Sequence, residues 1–122
     1  MQFPQLDSAL MLERLAPPVG KVRMVLDTDT FNEIDDQFAV VQSLLSPDKL
    51  AVEAIYAAPF DNGRSSGPGD GMEKSYEEIL RLLERLDFSA DGFVFRGSTD
   101  FLRRDQPLVS EAVDDMIARS NL

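Results

Sequence analysis

Three short apolar runs, each followed by a stretch of helical periodicity, restrict this chain to a small set of topologies. Val22-Arg23-Met24-Val25-Leu26 is one such run and ends in Asp27. Residues 51–58 (AVEAIYAA) form the second, and Gly92-Phe93-Val94-Phe95-Arg96 the third. Ile34, Phe38, Val41 and Leu45 recur at helical spacing until Ser46-Pro47 stops them. Met72, Tyr76, Ile79, Leu83 and Leu86 mark a longer helix, with Glu73, Glu77 and Arg81 off that face. A third helix is expected from Pro107 onward, carrying Val109, Val113, Met116 and Ile117. The order β-α-β-α-β-α predicts an α/β fold, a parallel Rossmann-like sheet with flanking helices and right-handed crossovers. With 122 residues, 43% of them hydrophobic, the chain suffices for one core. The pattern stops on a helix where another strand is expected. The sheet is therefore expected to be incomplete, with an apolar edge open to self-association as a homo-oligomer.

Leu6, Leu10, Leu12 and Leu15 suggest a short amphipathic helix broken by Pro17 and Pro18, so residues 1–20 read as an N-terminal extension and 21–122 as the domain. The first 18 residues carry Asp7 and Glu13 and lack the basic start and apolar run of a secretory signal, and no stretch reaches membrane-spanning length. A cytoplasmic location without a membrane partner is expected. The net charge of −10 argues against a nucleic-acid partner, whose phosphates are bound by clustered Lys and Arg. There is no cysteine and no histidine, which excludes disulfides, thiolate catalysis and soft-metal sites built from these residues. Oxygen donors remain.

Those donors crowd into one segment, Asp27-Thr28-Asp29-Thr30-Phe31-Asn32-Glu33-Ile34-Asp35-Asp36. Five carboxylates in ten residues, after a buried strand and at the start of a helix, repel one another unless something positive sits among them. The free N–H groups and dipole of the helix supply part of that compensation, with Asn32 the expected N-cap, and a hard divalent cation supplies more. The carboxyl ends of parallel strands are also where open α/β sheets bind ligands. The bland alternative is that Asp35 and Asp36 only favour a first helical turn and Asp27 caps a loop. An EF-hand is excluded, because Phe31, Asn32 and Phe38 fall at positions five, six and twelve of the loop.

The run Val25-Leu26-Asp27-Thr28-Asp29, followed by Ile34-Asp35-Asp36 and Ala39, resembles the N-terminal D-x-D-x-G-x-D-D signature of the inosine-uridine-preferring nucleoside hydrolases. The likeness continues from Lys21 through the second strand to the third strand and Gly97-Ser98. It implies a nucleoside-hydrolase-like fold and a hydrolase, a glycosidase of purine/pyrimidine metabolism that cleaves the N-glycosidic bond of a nucleoside with bound Ca²⁺. By the same resemblance, Asp29 would be a Ca²⁺ ligand and the base that accepts a proton from water, and Asp36 a second, bidentate Ca²⁺ ligand. Asp35 would bind ribose hydroxyls, Asn62 would be a further ribose contact, and Asp27 would support the site. Five residues separate Asp29 from Asp35 where the signature has three, and its glycine is missing, so the loop is expected to bulge. Family members are longer and supply further metal ligands, base contacts and a leaving-group acid from their C-terminal half. The chain is accordingly expected to be a truncated portion, inactive alone.

Two other readings stay open. A haloacid-dehalogenase-like Mg²⁺ phosphohydrolase would use Asp27 as nucleophile and Asp29 as acid/base. A non-catalytic, acidic Ca²⁺-binding module would use the same carboxylates without turnover. The loop Gly63-Arg64-Ser65-Ser66-Gly67-Pro68-Gly69 matches no phosphate-binding motif and reads as flexible, or as a lid. Asp114-Asp115 read as a solvated helix face, and Arg96, Arg103 and Arg104 as surface charge.

Overall fold

The computed structural model describes residues 5–120. Its elements are α1 (Ser8–Arg14), β1 (Val22–Thr28), α2 (Ile34–Leu44), β2 (Leu50–Ala57), α3 (Pro68–Arg85), β3 (Val94–Arg96) and α4 (Glu111–Ser120). The three strands are parallel and ordered β1-β2-β3, so β2 is central and β1 is an edge. The alternation is α/β throughout, as the sequence predicts. None of the described helices is long and apolar enough to cross a membrane.

Side-chain alternation along the strands decides which face each helix covers. Leu26 lies opposite Ile55 and Thr28 opposite Ala57, and this face packs with Val94 under Val40 and Leu44 of α2 and Met72, Ile79 and Leu83 of α3. Val25, Ala54, Tyr56 and Phe95 point the other way, against Ala112 of α4. The Tyr56 hydroxyl donates to Asp115 at 2.8 Å, and Arg119 donates to the same carboxylate oxygen at 2.5 Å, fastening α4 to the sheet. Burial, then the hydrogen bond to Asp115, pushes the Tyr56 phenol up to about 12. Asp115 is thus a tie between layers, which corrects its reading as a solvated face. Arg96 is likewise more than surface charge: it pairs with Glu73 at 2.9 Å and lies 3.8 Å from the centroid of the Tyr76 ring.

The apolar spacing locates the helices better than it identifies what they bury. In α2 the core residues are Val40 and Leu44, while Ile34 and Phe38 are 69% and 67% exposed. Asn32 is not the N-cap: Glu33 occupies that position and makes no side-chain cap bond. In α4 only Ala112 is buried, and α1 buries nothing. The third helix begins at Pro68, inside the stretch expected to be loop, because Pro suits a first helical turn. Gly69 and Gly71 then let that turn approach its neighbours closely: a Cβ at Gly71 would lie 2.0 Å from the Phe60 carbonyl oxygen.

Two substitutions in α3 therefore have opposite signs. Gly71→Ala is expected to lower stability by about 2 kcal/mol, the clash outweighing an improvement of about 1 kcal/mol in helix propensity. Ser75 is fully buried with no partner for its hydroxyl, and Ser75→Ala is expected to raise stability by about 1 kcal/mol. Urea denaturation checks both, and shifts in the same direction would contradict this packing.

Candidate functional site

The carboxyl end of β1 sends consecutive side chains to opposite faces of the sheet. Thr28 turns toward α2, where its buried hydroxyl donates to Asp36 Oδ1 at 2.5 Å and lies 3.0 Å from the hydroxyl of the fully buried Thr30. Asp36 is thereby held from below by a strand residue. Asp29 lies alongside, and the Asp36 carboxyl is raised above its ordinary range. Burial is the main cause; the Thr28 hydrogen bond opposes it, and the charge and hydrogen-bond contact of Asp29 add to it, with Asp35 contributing least. Asp29 and Asp36 therefore converge, while Asp35 sits exposed on the same turn of α2 and acts on Asp36 through its charge.

A polar chain ties this loop to the one after β2. Asn32 donates from its backbone to the Asp29 carbonyl at 2.7 Å and from its side chain to Asp29 Oδ2 at 2.8 Å. Asn62 donates to the Asn32 side-chain oxygen at 2.5 Å, and the Asn62 oxygen accepts from the Arg64 backbone at 2.9 Å. The Arg64 guanidinium donates in turn to the Asn32 carbonyl. These contacts pin the loop between β1 and α2. Phe31, at its tip, stacks on Phe60 with ring centroids 6.5 Å apart and planes inclined by 17°. The loop read as flexible thus supplies Arg64, which bonds the backbone of the acidic loop.

Asp27 points to the α4 side. It lines a cleft of about 120 Å³ with Tyr56, Gly97, Ser98 and Ser110, at the carboxyl ends of all three strands. Gly97 is required there, since a Cβ would lie 2.2 Å from the Ala57 carbonyl oxygen, which accepts the Gly97 N–H at 3.0 Å. The Asp27 side chain keeps solvent on one side, yet the surrounding protein desolvates enough of it to raise its carboxyl, with the Asp29 charge adding to the effect.

Sequence reasoning singled out Asp27, Asp29, Asp35, Asp36 and Asn62; the structure brings Asp29, Asp36 and Asn62 into one connected rim. Thr28, Thr30, Phe31 and Arg64 are the additions. Strand alternation already placed Thr28 opposite Asp27, but nothing in the sequence paired Phe31 with Phe60 or Arg64 with Asn32. The donors at the rim are carboxylate, hydroxyl, amide and backbone oxygens, the kind a hard cation such as Ca²⁺ takes. No group of three or more acidic, His or Cys side chains placed to hold a metal occurs among the described residues. The rim therefore fits Ca²⁺ in ligand type and supplies part of a shell that needs about 6–8 oxygens. No protein-family model, curated protein or solved structure matches the chain.

A raised carboxyl means that the folded state binds its proton more tightly than the unfolded chain does. Stability therefore falls as pH rises from the unfolded value through the folded one, and the penalty is complete above it. Asp36→Asn, which keeps an acceptor for Thr28, is expected to melt a few degrees higher than the parent at pH 7 in chelator, with the gain fading below about pH 4. An equal or lower melting temperature at pH 7 would show that burial and repulsion do not destabilise the Asp36 carboxylate.

Proposed function

We propose that this chain carries the cation- and ribose-binding part of a Ca²⁺-dependent nucleoside N-ribohydrolase. The observation that supports this most directly is the convergence of Asp29 and Asp36 beyond the carboxyl end of β1, with Asn62 joined to the same rim through Asn32. Asp29 and Asp36 would hold Ca²⁺, which when bound would polarise water and the ribose diol and lower the cost of deprotonation. Asp29 would accept the proton from the attacking water. Asp35, exposed on the first turn of α2, is free to accept hydrogen bonds from ribose hydroxyls, and Asn62 would orient the sugar from the opposite loop. Cleavage of the N-glycosidic bond develops positive charge on the ribosyl carbon, which these carboxylates would stabilise. Asp27 would act from behind, through its charge.

The phosphohydrolase reading has one observation of its own: Asp27, its nucleophile, opens into the cleft with Ser98 and Ser110. A phospho-aspartate trapped on Asp27 would favour it.

Calorimetric titration with Ca²⁺ tests the main proposal. One site is expected, lost in the Asp29→Ala/Asp36→Ala double variant, and Ca²⁺ should reverse the destabilisation that the paired carboxylates impose on the parent. Absence of binding by the folded chain, or binding that survives in the double variant, would sink it.

A further inference from the structure

The free edge of β1 is self-complementary. Alternate residues of a strand in a parallel ladder direct their backbone groups to opposite neighbours. The Val22 N–H reaches the Lys49 carbonyl at 2.8 Å, and the Thr28 carbonyl accepts from the Ala58 N–H at 2.9 Å, so the even-numbered positions serve β2. The register break against Met24/Val25 skips Glu53 of β2 and leaves the alternation of β1 intact. Arg23, Val25 and Asp27 therefore turn their N–H and C=O groups outward. Read along the edge, they are a cation, an apolar residue and an anion, symmetric in spacing about Val25.

We propose that this edge is a docking surface for a second copy of the chain, paired antiparallel to it about a two-fold axis through Val25. In that register Arg23 of each copy stands opposite Asp27 of the other, and Val25 stands opposite itself. Centring the pairing on Asp27 would oppose two carboxylates, and centring it on Arg23 two guanidiniums, each of which is destabilising. Arg23 binds Glu53 through Nε and Nη2, which leaves its Nη1 side directed elsewhere. The surface continues onto α4: Met116 borders clefts that hold Arg23, Val25 and Asp27, Val113 borders the cleft with Asp27, and the two are 43% and 37% exposed. A second copy would bring its own α4 to the same face, covering apolar surface on both sides of the axis. Among the described residues nothing pairs with this seven-residue edge, which is a template for such pairing; β1 has no proline, and the extra residue at the Met24/Val25 irregularity, Glu53, lies on β2. The surface does not depend on what the aspartate rim binds.

Sedimentation velocity over a dilution series is expected to show a monomer–dimer equilibrium for the parent chain. Asp27→Lys sets two cations opposite each other and is expected to weaken dimerisation by about tenfold or more. The Arg23→Glu/Asp27→Lys pair restores opposite charges and is expected to recover most of that loss. Circular dichroism establishes that each variant is folded, and cross-linking tests the register without altering charge. The chain has no cysteine, and directly opposed residues in an antiparallel hydrogen-bonded pair lie about 5.5 Å apart at Cα, within disulfide range. Val25→Cys should therefore oxidise to a covalent dimer, whereas Arg23→Cys, opposite Asp27, should not. A parent that stays monomeric at all concentrations overturns the proposal. So does a dimer in which Val25→Cys fails to cross-link, or cross-links no better than Arg23→Cys.

Discussion

The parallel pairing of β1 with β2 is the constraint from which the other features follow. It sets Thr28 beside Ala57, and so places the Thr28 hydroxyl under the first turn of α2 and the Asp27 carboxylate on the opposite face. A slip of one residue would exchange those roles, burying a carboxylate among Val40 and Ile55 and turning a threonine to the cleft. The burial of Ala54, Ile55, Tyr56 and Ala57 on both faces of the central strand makes such a slip costly. The site is thus positioned by the most apolar part of the chain, although its chemistry lies in the most acidic part.

That division has an energetic consequence. Asp29, Asp36 and Asp27 are held close at some cost in repulsion and desolvation, and the protein offsets it only in part. Thr28 hydrogen-bonds Asp36, Asn32 hydrogen-bonds Asp29, and Arg64 reaches the same loop from across the rim. These contacts fix geometry more than they neutralise charge, since the Asp36 and Asp27 carboxyls still lie above their ordinary range. An under-compensated rim has something to gain from a nearby cation, whereas one fully satisfied by its own side chains would gain little.

How much of this could be read beforehand follows from the range of the interactions. Strand and helix order was legible because it rests on local periodicity, and the aspartate cluster because its members are adjacent in sequence. The buried face of α2 was not, since Ile34, Phe38 and Leu45 are as apolar as Val40 and Leu44 and only the position of the sheet chooses between them. Arg64 and Phe60 were hidden for a related reason. Each acts some thirty residues from its partner, and a polar, glycine-rich loop gives no sign that it will fold back over a neighbour. The role of Asp115 was missed because its partner Tyr56 lies in a strand whose inward-facing residues look uniformly apolar.

The two faces of β1 also separate the two proposals. The α2 face carries Thr28 and, beyond it, the converging aspartates, while Val25 and Asp27 on the α4 face lie beside the free edge. Pairing at that edge would draw Asp27 toward Arg23 of a second copy and leave Asp29 and Asp36 facing the opposite layer. A guanidinium near Asp27 would set a positive charge beside the acidic cluster and so alter the field at Asp29, a route by which association would be felt at the rim. That route centres on a single carboxylate, because Asp27 is the residue that the cleft, the strand edge and the acidic cluster have in common.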